Sequence, residues 1–134
     1  MLFELTEEER LIQAAAARFA KQELGPSAAE LDRTKNRDIL LANLKKLAEL
    51  GFMGVTIRSE YGGTDSNSVA LSLVLTELGR GCAATAVTTS VTNMVAEAIE
   101  SMGTEAQRKK YLSKICSGEY PAADQTHLPF PRPG

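Results

Sequence analysis

The chain has no tryptophan, a single histidine, two cysteines and only 5% aromatic residues in 134. Each scarcity closes off a class of function. Cys82 and Cys116 stand far apart without metal-ligand spacing, so neither a disulfide framework nor a zinc site is indicated. Buried free thiols in a reducing compartment are the reading. His127 has no partner triad and no ligand spacing nearby, which makes it an exposed tail residue and not a base or metal ligand. No activated Ser or Cys arrangement and no dinucleotide fingerprint occurs. Neither sign of charge dominates: 15 basic and 17 acidic residues leave a net charge of -2. No basic stripe points to nucleic acid and no acidic tail to disorder. Met1 leads straight into Leu2, Phe3 and an acidic segment, without the features of a secretory signal or an Arg-rich transit peptide. A cytoplasmic protein with one domain is expected.

Charge itself is missing from one stretch. Residues 81–96, GCAATAVTTSVTNMVA, contain none, although charged residues make up 24% of the chain. Val87, Val91, Met94, Val95, Ala98, Ile99 and Met102 recur at three- and four-residue spacing, the period of one helical face. The other face carries Thr85, Thr88, Thr89, Ser90, Thr92 and Asn93, where a surface helix would carry Lys and Glu. The spacing predicts a helix of about twenty residues, roughly 30 Å long, covered on most of its circumference and ended by Gly103 as a left-handed cap. It is too short and too rich in Thr to cross a bilayer, which needs ~20 mainly apolar residues. The Thr face is either plain core, with hydroxyls bonded back to the helix backbone, or the lining of a site for an uncharged ligand.

The other segments arrange themselves around this helix. Thr6 and Glu9 form a capping box at the head of a first helix. Its apolar face is Leu11, Ile12, Ala15, Ala16 and Phe19, and Gly25-Pro26 is expected to stop it. Residues 27–33 read as a short second helix. Ile39, Leu40, Leu44, Leu47 and Leu50 mark a third, with Gly51 as its cap and Phe52 folding back on the last turn. Residues 54–60 read as a short extended connector and Tyr61-Gly62-Gly63 as a turn. That turn has no Lys or Ser/Thr placed to make it a phosphate loop. Ser66 or Asn67 caps a further uncharged helix running to Glu77, and Gly79-Arg80-Gly81 is expected to break the chain. Thr104 and Gln107 form a second capping box. The last helix points Tyr111, Leu112 and Ile115 inward and Arg108, Lys109, Lys110 and Lys114 outward, and Gly118 ends it. The fold class is all-α, a bundle of five to six helices over residues 1–123. Residues 124–134, DQTHLPFPRPG, hold three of the five prolines and read as an irregular Pro-rich tail.

The order of blocks resembles the N-terminal helical domain of the acyl-CoA dehydrogenases. LTEEERLIQAAAARFAKQELGP is similar to that family's opening helix. LKKLAELGFMGVTIRSEYGG is similar to its helix and EYGG turn. ELGRGCAATAVTTSVTN and MGTEAQRKKYLSKICSGE follow in the family's order and spacing. A flavin-dependent oxygenase shares the fold, but the EYGG-type segment fits the dehydrogenases better.

The resemblance implies a flavoprotein that oxidises an acyl-CoA thioester between its α and β carbons, a glutamate removing the α-proton while FAD accepts the β-hydride. It also implies that the base and most flavin contacts come from a middle and a C-terminal domain with no counterpart in these 134 residues. FAD is therefore not expected to bind this chain alone. The contribution carried over here is one wall of the acyl pocket, with Ala86, Val87, Ser90 and Met94 nearest the acyl chain. Beyond Ala123 the likeness stops, as a frameshifted or truncated product would, or a small protein with its own ending. The alternative function is a non-catalytic helical module whose uncharged helices bind a protein or carrier partner. Self-association through those helices is a further expectation.

Overall fold

The computed structural model describes residues 4–34 and 37–119, and no strand occurs among them. The helices are α1 (Glu7–Phe19), α2 (Gly25–Thr34), α3 (Arg37–Glu49), α4 (Ser68–Gly81), α5 (Ala83–Met102), α6 (Glu105–Gln107) and α7 (Ser113–Cys116). The Pro-rich tail and His127 lie outside the described residues.

Local chemistry explains most boundaries. At α1 the Thr6 hydroxyl accepts the Glu9 amide at 3.1 Å and the Glu9 carboxylate accepts the Thr6 amide at 2.9 Å. Thr104 and Gln107 repeat the reciprocal pair before α6. Helix α3 ends in a Schellman motif: Phe52 N–H donates to the Leu47 carbonyl and Gly51 N–H to that of Ala48, both at 3.0 Å, with Gly51 at φ 86°. Phe52 then folds back into the core, as its position after the cap requires.

Several expected breaks are not breaks. Pro26 does not stop the first helix. Residues 20–24 form a π turn closed by the Gly25 N–H on the Ala20 carbonyl, and α2 starts directly after it. In a regular helix the Pro26 ring would press on the carbonyl four residues back. The widened turn re-aims that stretch and puts Pro26 in the first turn of α2, where its missing N–H leaves no bond unmade. A second π turn, Arg108–Leu112, joins α6 to α7. Helix α4 runs through Gly79-Arg80-Gly81, and the break falls at Cys82, which is extended at φ -159° and ψ 110°. Gly81 serves close approach: a Cβ there would sit 2.8 Å from the Ala20 carbonyl oxygen. Gly103 is extended at φ -77° and ψ 160°, not left-handed as expected.

Two buried clusters form the interior. The larger gathers Phe19, Leu24, Leu44, Leu47, Phe52, Met53, Val74 and Leu78 from α1, the π turn after it, α3, α4 and the segment after α3. The smaller holds Ile57, Tyr61, Ala96, Ile99, Leu112, Ile115 and Cys116. A fully buried Leu contributes on the order of 2 kcal/mol and a cap bond about 1, so these clusters outweigh the caps. Leu11 and Leu50 stand outside them at 65% and 44% exposure, because each lies at the edge of its helix's apolar stripe. The segment between α3 and α4 is bent at residues 54–57, not extended. It is followed by a single 3-10 turn, Ser59–Tyr61.

Candidate site on the outward face of helix α5

Helix α5 is inverted relative to its hydrophobic pattern. The residues it buries are Thr85, Thr89, Thr92, Asn93, Ala96 and Ile99. Of the apolar row only Ile99 is buried; Val87, Val91, Met94 and Met102 are 63%, 42%, 62% and 75% exposed. The threonines tolerate burial because their hydroxyls are occupied within the helix. Thr89 donates to the Thr85 carbonyl and Thr92 to that of Thr88, both at 2.8 Å, and Thr85 donates to the Cys82 sulfur at 3.3 Å. With its hydroxyl spent, a threonine presents a methyl group to its neighbours and packs as a small apolar residue.

Asn93 is the buried amide of this face and is fully engaged. Its Nδ2 donates to the Phe52 and Thr89 carbonyls, and its Oδ1 accepts the Val55 amide, all at 2.9 Å. Two further α5 residues grip the same segment. Glu97 accepts the Thr56 hydroxyl at 2.7 Å, and Glu100 accepts the Arg58 amide at 3.0 Å. The Arg58 side chain also reaches Glu100 at 3.6 Å. In the sequence Glu97 stands only as the first charge after the uncharged run of residues 81–96. The four- and three-residue spacing of 93, 97 and 100 was a usable signal for a shared edge.

The candidate pocket residues begin on that edge, at Ala86, and run outward from it. Ala86, Ser90 and Met94 follow at intervals of four, with Val87 beside them, so all four share one side of the helix. Ala86 and Ser90 are half-buried, and Val87 and Met94 are exposed. The side they share carries no charge between residues 81 and 96. Such a face suits an apolar, uncharged chain and offers no proton donor or acceptor stronger than the Ser90 hydroxyl.

Other polar groups of the bundle are structural. Buried Glu77 holds Arg80 at 3.1 and 3.2 Å and takes a 3.5 Å bond from Gln13. Glu9 accepts Asn67 Nδ2 at 3.2 Å besides its capping bond, and together these hold its carboxyl below the usual range, the Thr6 amide having the largest effect. The Gly62-Gly63 turn has no amide to spare for a phosphate. The N–H groups of residues 62, 63, 64, 65 and 66 donate to the carbonyls of Ser59, Arg58, Gly54, Ile57 and Val55. The residues present therefore do not fit a flavin pyrophosphate at this turn. No group of His, Cys, Asp and Glu among the described residues could hold a metal ion, and no described helix is long and apolar enough to cross a membrane.

A family model described as the N-terminal domain of acyl-CoA dehydrogenase matches residues 6–119. The chain belongs to the acyl-CoA dehydrogenase family. It is 36% identical over 120 residues to the short-chain specific acyl-CoA dehydrogenase of Clostridium acetobutylicum, covering 89% of this chain and 31% of that enzyme. Among solved structures, a glutaryl-coenzyme A dehydrogenase in complex with glutaryl-CoA superposes at a TM-score of 0.83 with 31% identity. That match covers 90% of this chain and 31% of the other. A Bacillus anthracis acyl-CoA dehydrogenase complexed with FAD superposes at 0.81 with 26% identity, over 88% of this chain and 20% of the other. The chain thus spans about a third or less of the length of the relatives it matches. What it shares with them is their N-terminal helical domain, and α5 with its charge-free outward face lies inside the matched span.

Proposed function

We propose that residues 1–123 are the N-terminal domain of an FAD-dependent enzyme that oxidises acyl-CoA thioesters between Cα and Cβ. Its own share is one wall of the acyl pocket, built by Ala86, Val87, Ser90 and Met94. The observation that carries this reading is the inverted helix: α5 turns its threonines inward and leaves Val87 and Met94 63% and 62% exposed on an uncharged face. An apolar face of this kind is stabilised when ligand or another domain covers it.

The wall shapes specificity and does no chemistry. The two carboxylates of α5, Glu97 and Glu100, are held by Thr56 and Arg58 and come after Met94 along the helix. The base and the flavin site are assigned to partner domains outside the matched span. The isolated chain is accordingly expected neither to retain FAD nor to oxidise acyl-CoA. The two unpaired buried thiols fit the cytoplasm, where disulfides are rare.

A chimaera tests the proposal. Residues 6–119 replace the matching segment of the Clostridium acetobutylicum enzyme, and kcat/KM is measured across acyl-CoA chain lengths for the parent chimaera and its Val87→Ala and Met94→Ala forms. A methylene in a hydrophobic pocket changes kcat/KM by roughly 10–200-fold. The preference should move toward longer or bulkier chains by about tenfold per variant. Unchanged ratios in both variants would remove these residues from the acyl wall.

A further inference from the structure

The functional reading leaves unexplained why an uncharged helix ends in a polar row directed at an irregular segment. Asn93, Glu97 and Glu100 stand at i, i+4 and i+7 on α5 and bond to Val55, Thr56 and Arg58 in the same order. The row therefore runs along the segment between α3 and α4 residue by residue. That segment is itself held rigid: residues 52–55 are buried, and its carbonyls at 54, 55 and 57 accept the amides of 64, 66 and 65.

The row sits on the seam between the two faces of α5. At 100° per residue, Asn93 and Glu97 flank the line of Ala86, with Ser90 and then Met94 following outward. A turn of the helix by one residue position would move Ser90 and Met94 off the outward side and bring Thr92 or Ala96 toward it. Hydrophobic packing resists this mainly at one end of the helix, where Ile99 is buried with Val95 packed beside it. From residue 85 to residue 92 the buried side chains are threonines, and four larger ones, Val87, Val91, Met94 and Met102, lie outside. Small methyl surfaces give weak rotational preference, whereas a buried hydrogen bond left unmade carries a full desolvation penalty.

We infer that Asn93, Glu97 and Glu100 are positioning residues that fix the rotation of α5 about its own axis, and so decide which side chains form the acyl-facing wall. Asn93 leads because it is 1% exposed and its three bonds have no water to replace them. Glu97 and Glu100 extend the grip toward the end of the helix. What the rotation is for rests on the proposed acyl wall; the rotation itself does not.

Thiol labelling of the 134-residue chain reads the rotation directly. One reporter is Val87→Cys, at an exposed position, and the other is Ala96→Cys, at a fully buried one. Buried native Cys116 reports opening of the bundle as a whole. Each reporter is made with Asn93 intact, with Asn93→Leu, and with the pair Glu97→Gln and Glu100→Gln. In Asn93→Leu the ratio of labelling at 87 to labelling at 96 should fall roughly tenfold, with Cys116 labelling unchanged. The Gln pair, which keeps acceptors of the same shape, should shift the ratio less. An unchanged ratio, or a rise at 96 matched by an equal rise at Cys116, would overturn the inference, since the second pattern is loss of stability alone. Should Asn93→Leu fail to fold, Asn93→Asp keeps the acceptor for the Val55 amide and carries the same test. In the chimaera, Met94→Ala reports on the acyl wall and the labelling ratio on the positioning row, so the two readings fail separately.

Discussion

The Tyr61 hydroxyl donates to both carboxylate oxygens of Glu105, at 2.8 and 3.0 Å, and so joins the 3-10 turn to the first residue of α6. Arg58 lies over the Tyr61 ring at 5.1 Å, and Glu105 also meets Arg108 at 3.4 Å. The bond to Tyr61 is the largest influence holding the Glu105 carboxyl below its ordinary value of 4.5, and the same bond raises the phenol above 10.0. A lowered carboxyl pKa stabilises the fold above the ordinary value, and that stability is lost as pH falls through the lowered one. Tyr61→Phe should therefore be less stable than the parent at neutral pH, and the gap should narrow below about pH 4 as Glu105 protonates in both. Urea midpoints measured from pH 7 to pH 3 check this. A constant gap across that range would show that the hydroxyl acts by packing and not through the carboxylate.

Two glycine substitutions should have opposite signs. Gly63 lies against the backbone carbonyl of Ile57, which a Cβ would overlap; Gly79 in α4 has nothing within 4 Å of where a Cβ would stand. Gly63→Ala should cost roughly 1–3 kcal/mol, because a backbone atom cannot swing aside as a flexible side chain would. Gly79→Ala should stabilise by roughly 0.5–1 kcal/mol, since the glycine lies in a helix and alanine loses less entropy there. Denaturant unfolding of the two variants beside the parent decides both. A stabilised Gly63→Ala would mean that the turn is looser than its hydrogen bonds imply.

Element by element, what could be read from the residues follows from how far each determinant reaches along the chain. Both capping boxes and the Gly51 cap are settled within six residues, and they stand as expected. Pro26 was misread because its effect depends on a π turn, and no residue type marks where a helix will widen. Gly79 and Gly81 read as breakers in the sequence, whereas α4 runs through both and Gly81 lets it approach Ala20. The largest inversion is α5. Periodicity sets a Val and Met row apart from a Thr and Asn face and leaves the Thr face as either plain core or ligand lining. The structure makes Thr85, Thr89 and Thr92 plain core, with Thr89 and Thr92 bonded back to the helix. Periodicity does not register that the Val and Met row turns outward, or that Asn93 meets Val55 and Phe52, 38 and 41 positions away in the chain. Ala86, Val87, Ser90 and Met94 were singled out by resemblance alone, and the structure gathers them on one side of the helix.

Cys116 should be chemically silent in the folded chain. Burial is the main cause that pushes its thiol from 9.0 up to about 11, with the charge of Glu100 adding to it. The thiolate is the nucleophile, and a rise of that size leaves about a hundredfold less of it at pH 8. Iodoacetamide at pH 8 should modify Cys116 at least about a hundredfold more slowly in the native chain than in urea. The position is read by mass spectrometry of the digested protein. Comparable rates in the two states would show that the 57–116 cluster opens freely.

The exposed side of α5 makes a prediction about the chain on its own. Val87, Val91, Met94 and Met102 stand on one side at helical spacing, between 42% and 75% exposed. Scattered apolar residues are ordinary on a surface, but a contiguous patch larger than a few hundred Å² promotes association. The isolated chain should therefore self-associate as its concentration rises, with weighted-average mass increasing in sedimentation equilibrium. Val87→Lys with Met94→Lys should abolish the increase. Lysine is a good helix former, and its stem can lie along the apolar surface while the ammonium stays in water, so the helical circular dichroism should persist. Loss of helicity would mean that these side chains also pack within the monomer. A parent chain that stays monomeric throughout would show that the apolar side of α5 is too narrow to associate unaided, and would weaken the claim that it needs a cover.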